Sequence, residues 1–188
     1  MKNIHIELGM YTGACCLPSF QELVAKDENI MIYGFEPFPQ FTKSCKQMES
    51  NETLKGCFHF INKAAWIKNE KKEIYPGARP RRGNSLFKNK KNVKAEFGEL
   101  IECIDFSQWI TDNFKKEDHI TLSMDIEGSE YDVLNKMIDD NTISFINKLT
   151  IEFHSHKIRD QRIQKLHGEI LKYFNENPIK LEIIKARG

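Results

Sequence analysis

Apolar and polar residues alternate in short runs, and most runs lead into a stretch of helical periodicity. Ile4, Ile6 and Leu8 set the pattern, with every second residue apolar as on a strand packed against a core. The runs predict strands at 3–8, 30–36, 57–62, 119–126, 147–154 and 179–185, and helices near 14–26, 38–49, 106–114, 130–140 and 158–176. Such alternation points to an α/β fold, a mostly parallel sheet with helices on both faces. It breaks once, between about 66 and 104, where Pro76-Gly77-Ala78-Arg79-Pro80-Arg81-Arg82-Gly83 excludes a regular element. Ser85-Leu86-Phe87 and Leu100-Ile101-Glu102-Cys103-Ile104 are short strand candidates beside it. An irregular insertion this long is usually functional or disordered. Its expected place is over the carboxyl ends of the strands, where open α/β sheets bind ligands. With no internal repeat, residues 1–188 read as one domain carrying that insertion.

Composition adds little to this picture and charge adds more. With 40% hydrophobic and 29% charged residues the 188-residue chain is ordinarily globular. No segment approaches a membrane span and no signal peptide precedes the first strand, so a soluble, cytoplasmic protein is expected. Five cysteines without Cys-x-x-Cys or zinc spacing read as free thiols. Cys15 and Cys16 open the first helix and read as small packing residues rather than activated thiols. The net charge of +1 conceals an asymmetry. Residues 66–95 hold ten basic side chains against two acidic ones, a local +8 that leaves the remainder at −7. Either a solvated loop or an anionic partner at one edge is consistent with that segment.

The candidate chemistry sits at strand ends. Glu7 closes the first strand, and Gly9 and Gly13 bracket the turn into the first helix. Such a turn lets a nucleotide lie against backbone and helix N-terminus. The spacing is not the Gly-x-Gly-x-x-Gly of dinucleotide enzymes, which argues against a dehydrogenase. Glu7 would repel a phosphate and suits a cationic cofactor such as S-adenosylmethionine. Glu36 ends the second strand, 23 residues after Gly13, where a carboxylate accepts both ribose hydroxyls. Asp125-Ile126-Glu127-Gly128-Ser129-Glu130 places three carboxylates at another strand end. That crowding is costly unless positive charge or proton-accepting work lies nearby.

At this point the chain resembles the FkbM family of S-adenosylmethionine-dependent methyltransferases. The resemblance rests on Glu7-Leu8-Gly9-x3-Gly13, Phe35-Glu36-Pro37, Asn62-Lys63-Ala64-Ala65-Trp66, Asp105, Asp125 to Glu130 and Ile151-Glu152-Phe153-His154, in the family's order over nearly the whole chain. It implies a Rossmann-like class I methyltransferase sheet and methyl transfer, usually to a hydroxyl oxygen of a sugar or other small product. It implies that Glu7, Gly9 and Gly13, with Met10 and Tyr11 between them, hold the methionine end of the cofactor. Glu36 and Pro37 would lie at the ribose, and Asn62, Ala64 and Ala65 would border the adenine. Trp66 would stack on adenine or substrate, or serve as core. Asp125 would lie beside the reactive methyl. Asp125 and His154 are then the candidate bases, on adjacent strands; for His154 a structural hydrogen bond is the favoured reading over catalysis. Glu127 is a second acid on the same turn, or a cap for the helix near Ser129. Asp125, His154 and His156 could together suit a divalent metal, but spacing across separate strands does not define such a site, and none is expected.

The family pattern is truncated at both ends. A covering helix before the first strand is missing, and the usual last strand of a closing hairpin is absent or very short after Ile183-Ile184. An exposed site edge of this kind suits a homodimer. The small-molecule acceptor is expected to be a glycan or otherwise anionic, held by the basic insertion. A non-catalytic nucleotide-binding or regulatory module and an RNA methyltransferase are the alternatives, the overall charge arguing against a large nucleic-acid footprint.

Overall fold

The structure, a computed structural model, describes residues 1–78, 82–177 and 179–184. Residues 79–81 of the Pro/Arg run and residue 185 of the last expected strand lie outside the described residues. In chain order the elements are β1 (Asn3–Leu8), α1 (Leu17–Lys26), β2 (Met31–Phe35), α2 (Pro39–Gln47), β3 (Phe58–Ile61), β4 (Ala64–Trp66), β5 (Glu70–Ile74), β6 (Glu99–Asp105), α3 (Phe106–Asn113), β7 (His119–Met124), α4 (Glu130–Asp139), β8 (Ile146–Glu152), α5 (Gln161–Glu176) and β9 (Lys180–Ile184). Six strands form one sheet in the order β3-β2-β1-β7-β8-β9, and every pairing is parallel. All six strands expected from the hydrophobic pattern are present.

The alternation of β1 sorts its residues onto two faces. Ile4, Ile6 and Leu8 are buried to within 1%. Ile6 pairs with Tyr33 of β2, whose ring meets Trp109 and Phe114 edge-on, so α3 covers this face. His5 and Glu7 point to the other face, where Phe20 of α1 meets His5 and Phe58. Helices therefore lie on both sides of the sheet. The α1 face carries a polar ladder, His5 Nδ1 with Thr121 Oγ1 at 2.9 Å and Ser123 Oγ donating to Glu7 Oε1 at 2.9 Å.

The stretch 66–104, read from sequence as irregular, is partly ordered into strands. β5 and β6 run antiparallel, and β4 joins β6 in parallel to make a second, three-stranded sheet. Leu100 to Ile104 are in a strand as expected, whereas Ser85 makes only an isolated bridge to Tyr75. β6 then delivers Asp105, whose side chain caps α3 by accepting the Gln108 N–H at 3.0 Å.

Two parallel strands end in turns that touch. Gly9 has φ +93°, and a Cβ there would overlap the carbonyl oxygen of Asp125. Positive φ disfavours a side chain, and here backbone blocks it as well. Gly9→Ala is accordingly expected to lower stability by about 2–4 kcal/mol, read from urea denaturation midpoints. A loss below ~0.5 kcal/mol would show that the two turns are not in contact.

Candidate active site at the carboxyl edge of the sheet

The turn after β1 is built by hydrogen bonds from its neighbours. Gly9 and Met10 donate to the Phe35 carbonyl at 3.0 and 3.1 Å. Tyr11, held at φ +55°, donates its N–H to Glu36 Oε2 at 2.8 Å. The other oxygen of Glu36 accepts the Phe38 N–H at 2.9 Å, and Asn62 Nδ2 reaches the Glu36 carbonyl at 2.8 Å. Glu36 is thus buried and shared between two chain segments. Burial outweighs its two N–H donors and pushes its pKa up to about 7. The N–H groups of Thr12, Ala14 and Cys15, farther along the same turn, have no hydrogen-bond partner among the described residues.

The turn after β7 carries the acidic motif. Glu127 and Gly128 both have positive φ, +54° and +120°. Glu130, the first residue of α4, is fully buried and folds back over this turn. Its Oε1 accepts the Ile126 N–H at 3.1 Å and its Oε2 the Gly128 N–H at 2.8 Å. The same carboxylate meets His154 Nδ1 at 2.9 Å. Glu127 does not cap α4: the helix has no side-chain hydrogen bond at its N-cap, Ser129, and Glu130 ties back to the turn that precedes it.

Glu127 is instead paired with the insertion. Lys90, 5% exposed, places Nζ 2.7 Å from Glu127 Oε2 and donates to the Gly83 carbonyl at 2.9 Å. Ser85 Oγ donates to the Glu127 carbonyl at 2.7 Å. Lys91 reaches the His156 carbonyl, and the Arg82 guanidinium lies 5.5 Å over the Tyr11 ring. The insertion does lie over the strand ends, as the sequence suggested.

His154 follows β8 by two residues and is completely buried. Its Nε2 lies 3.2 Å from Glu152 Oε1, 3.4 Å from Glu127 Oε2 and 3.7 Å from Asp125 Oδ1. None of these contacts has hydrogen-bond geometry. Burial pulls the imidazole pKa down, but Glu130, Glu127 and Asp125 outweigh it and hold His154 up at about 8. Asp125 is 48% exposed and is pushed up to about 7. Desolvation is the largest cause, opposed by His154 and reinforced by Glu127, Glu152 and Glu130. Water still reaches a half-open side chain, so the upward direction rests most securely on the like charges.

Asp125, Glu127 and His154, the three candidate catalytic residues, are therefore brought together, and Asp125 adjoins the Gly9 turn. Gly9, Tyr11, Glu36 and Asn62 are also joined. Other expectations fare differently. Glu7 is spent within the sheet face on Ser123 and, at 3.3 Å, on His5. Met10 and Gly13 are buried, and Pro37 is half-buried. Ala64 and Ala65 are buried in β4 of the second sheet. Trp66 is 7% exposed and donates its indole N–H to Glu70 at 2.8 Å, as a core residue does. Cys15 is exposed rather than packed, and Cys16 half-buried. His156 is exposed, its ring 6.4 Å from that of His154. Sequence reading missed Glu130, Glu152 and Lys90. The first two stood inside the quoted motifs; Lys90 carried no signal beyond its charge.

An acid-rich cluster with one imidazole, at the carboxyl edge of a parallel sheet and beside a glycine turn, defines an α/β protein with an enzyme-like site. Residues 7–178 match the Methyltransferase FkbM domain, and the chain belongs to that family. It is also similar to the crystal structure of Methyltransferase FkbM from Methylobacillus flagellatus KT, with 15% identity and a TM-score of 0.48. That alignment covers 91% of this chain and 37% of the other, so the chain spans little more than a third of that protein. Among curated proteins no match was found.

Glu130 is the buried charge on which the cluster hangs. Glu130→Ala would leave two N–H groups and an imidazole unpartnered. A loss of about 3–5 kcal/mol is expected on chemical denaturation, with a smaller loss for Glu130→Gln, which keeps an acceptor. Equal losses from the two variants would show that volume rather than hydrogen bonding matters at this position.

Proposed function

We propose that the chain transfers a methyl group from S-adenosylmethionine to a hydroxyl oxygen of a sugar or other small acceptor. The observation that carries the reading is Asp125, a half-exposed carboxylate with raised proton affinity, standing against the glycine turn and backed by a buried imidazole. The donor supplies the methyl group together with its own leaving group. The protein's contribution is then alignment and acceptance of the hydroxyl proton.

The residues at the edge suit that donor. Glu36 uses one lone pair on each oxygen for backbone and keeps others for a ribose diol. Asn62 stands beside it. The unpartnered N–H groups of Thr12, Ala14 and Cys15 offer donors to the carboxylate of the methionine end. Glu7, although engaged with Ser123 and His5, lies on the strand that leads into this turn and retains acceptor capacity for the amino group. An acceptor hydroxyl would lie between Asp125 and the donor methyl. Asp125 takes its proton as the oxygen–carbon bond forms, and His154 compensates the charge on Asp125. The exposed Arg82 and Lys88 of the insertion suit an anionic group on the acceptor.

Asp125→Asn is expected to lower turnover by about 10²–10⁴-fold while leaving S-adenosylmethionine affinity within about threefold. Single-turnover methyl transfer against sugar and nucleotide-sugar pools, with calorimetric binding in parallel, measures both. Unchanged turnover would remove Asp125 as the base.

Glu36 generates a pH signature. Its ionised form accepts both ribose hydroxyls, whereas protonation removes an acceptor. Affinity should therefore rise with pH up to about 7 and level off above it, with a loss of at most about tenfold per pH unit below. Glu36→Gln should bind weakly at every pH and show no such slope. A wild-type affinity that does not vary from pH 6 to pH 8 would place the ribose elsewhere.

A further inference from the structure

The glycine turn after β1 carries two adjacent thiols that methyl transfer does not use. Cys15 is exposed, whereas Cys16, the residue before α1, is half-buried. Their sulfur atoms stand 3.8 Å apart. Both also lie near the Met10 carbonyl, at 3.6 and 3.9 Å. A third thiol, the buried Cys45 of α2, donates to the Tyr11 carbonyl of the same turn at 3.1 Å. Cys103 is buried in β6, and the half-buried Cys57 donates to the Leu54 carbonyl at 3.2 Å. Cys15 is thus the one exposed thiol of the five, and it stands beside a second thiol.

The two sulfurs divide their protons unequally. Cys16 can donate its S–H to an ionised Cys15, and that donation is the largest of the influences holding the Cys15 thiol down at about 6. The Arg82 guanidinium works in the same direction, while partial burial and the Glu7 carboxylate oppose it. Glu36 and Cys45 face the same sulfur and are held up in small part by its charge. The Cys16 thiol is pushed up, because losing its proton would cost the donation to Cys15 and burial disfavours its charge. Burial raises Cys45 and Cys103 to about 12 and about 11. The thiolate is the nucleophile in disulfide exchange, so exposure, the neighbouring donor and Arg82 all single out one sulfur.

We propose that Cys15 is a site of reversible thiol–disulfide exchange with a low-molecular-weight disulfide, and that its adduct excludes the methionine end of the donor from the turn. The second half rests on the methyl-transfer reading. In the exchange the Cys15 thiolate attacks one sulfur of the disulfide. The new S–S bond forms as the old one breaks, and the electron pair leaves on the second sulfur as a thiolate. Cys16 keeps its proton. It does not displace the adduct, because consecutive Cα atoms are about 3.8 Å apart and ordinary disulfides span about 4.4–6.8 Å. An external thiol therefore reverses the reaction. The adduct grows from the segment whose Thr12, Ala14 and Cys15 N–H groups have no partner among the described residues, the place proposed for the donor carboxylate. Arg82 suits a disulfide that itself carries carboxylates.

The test treats the reduced full chain with oxidised glutathione and maps the adduct by peptide mass spectrometry. One glutathione per chain, on Cys15 and removed by dithiothreitol, is expected. The rate should be half-maximal near about pH 6. At that pH Cys16→Ala should slow exchange about tenfold, because the loss of thiolate exceeds the gain in nucleophilicity, and should move the midpoint up. Cys16→Ser, which keeps a donor, should restore most of the rate, and Cys57→Ser should leave it unchanged. No adduct, an adduct confined to another cysteine, or a wild-type midpoint at about pH 8 or above would overturn the site. Those readouts belong to the wild type, so a variant that misfolds does not decide the question. The glutathionylated chain should bind S-adenosylmethionine at least about tenfold more weakly than the reduced chain, as loss of hydrogen bonds to its carboxylate requires; equal affinity would overturn the exclusion. A reduced chain that binds no S-adenosylmethionine removes the methyl-transfer reading and the exclusion with it, while the adduct map and pH midpoint still decide the exchange site.

Discussion

The arrangement of the site depends on one buried carboxylate. Glu130 sits at the first position of α4 and accepts hydrogen bonds from Ile126 and Gly128. Those two N–H groups belong to a turn in which consecutive residues adopt positive φ. A non-glycine residue there costs of order 1–3 kcal/mol, so Glu127 persists in that conformation only because the surroundings insist on it. Burying a charge is itself expensive. Three polar partners and the N-terminus of a helix offset that cost together. The bond to His154 then carries the constraint across to the end of β8. A single side chain thus fixes the β7 turn, the start of α4 and the imidazole orientation.

Glu36 has a parallel part at the end of β2. It supports the Tyr11 N–H of the neighbouring turn, as Glu130 supports its own. Both acids stand at an edge where a parallel sheet leaves backbone donors without ladder partners. Their first service is to the backbone. The turns so fixed abut at Gly9 and Asp125, where neither chain has space for another atom. This tight seam is what brings the glycine turn and the acid cluster into one site.

The large sheet was readable from sequence because alternate positions of its strands enter the core on the two faces. Ile4, Ile6 and Leu8 have almost no freedom to be anything but apolar. β5 was not readable for the opposite reason. Its sequence, Glu70 to Ile74, is almost entirely charged, and its order comes from pairing with β6 and from Lys72 lying over Trp66. The convergence of Asp125 and His154 was readable, since adjacent parallel strands end at the same edge. The separate duties of Glu127 and Glu130 were not. Two acids three residues apart look alike until the turn sends one to Lys90 of the insertion and the other back onto its own backbone. Lys90 was hidden among ten basic residues, and only tertiary contact distinguishes the buried one.

The cluster divides into groups that are held and groups that are free. Lys90 neutralises Glu127, and through Gly83 it also closes residues 83–90 on themselves. The insertion is therefore fastened to the site through one of the site's own acids. Breaking that ion pair would leave a buried ammonium unpaired together with an unbalanced carboxylate, while Ser85 and Lys91 still tie the insertion to the strand ends. Glu130 is held by backbone. Among the described residues, Asp125 and Glu152 have no side-chain hydrogen bond and meet only His154 Nε2, at 3.7 and 3.2 Å. An ion pair holds Glu127 and hydrogen bonds hold Glu130, so the acid of the motif left without such a partner is Asp125, the most exposed of the three. This asymmetry, rather than the number of acids, separates groups that maintain the turn from groups available for chemistry.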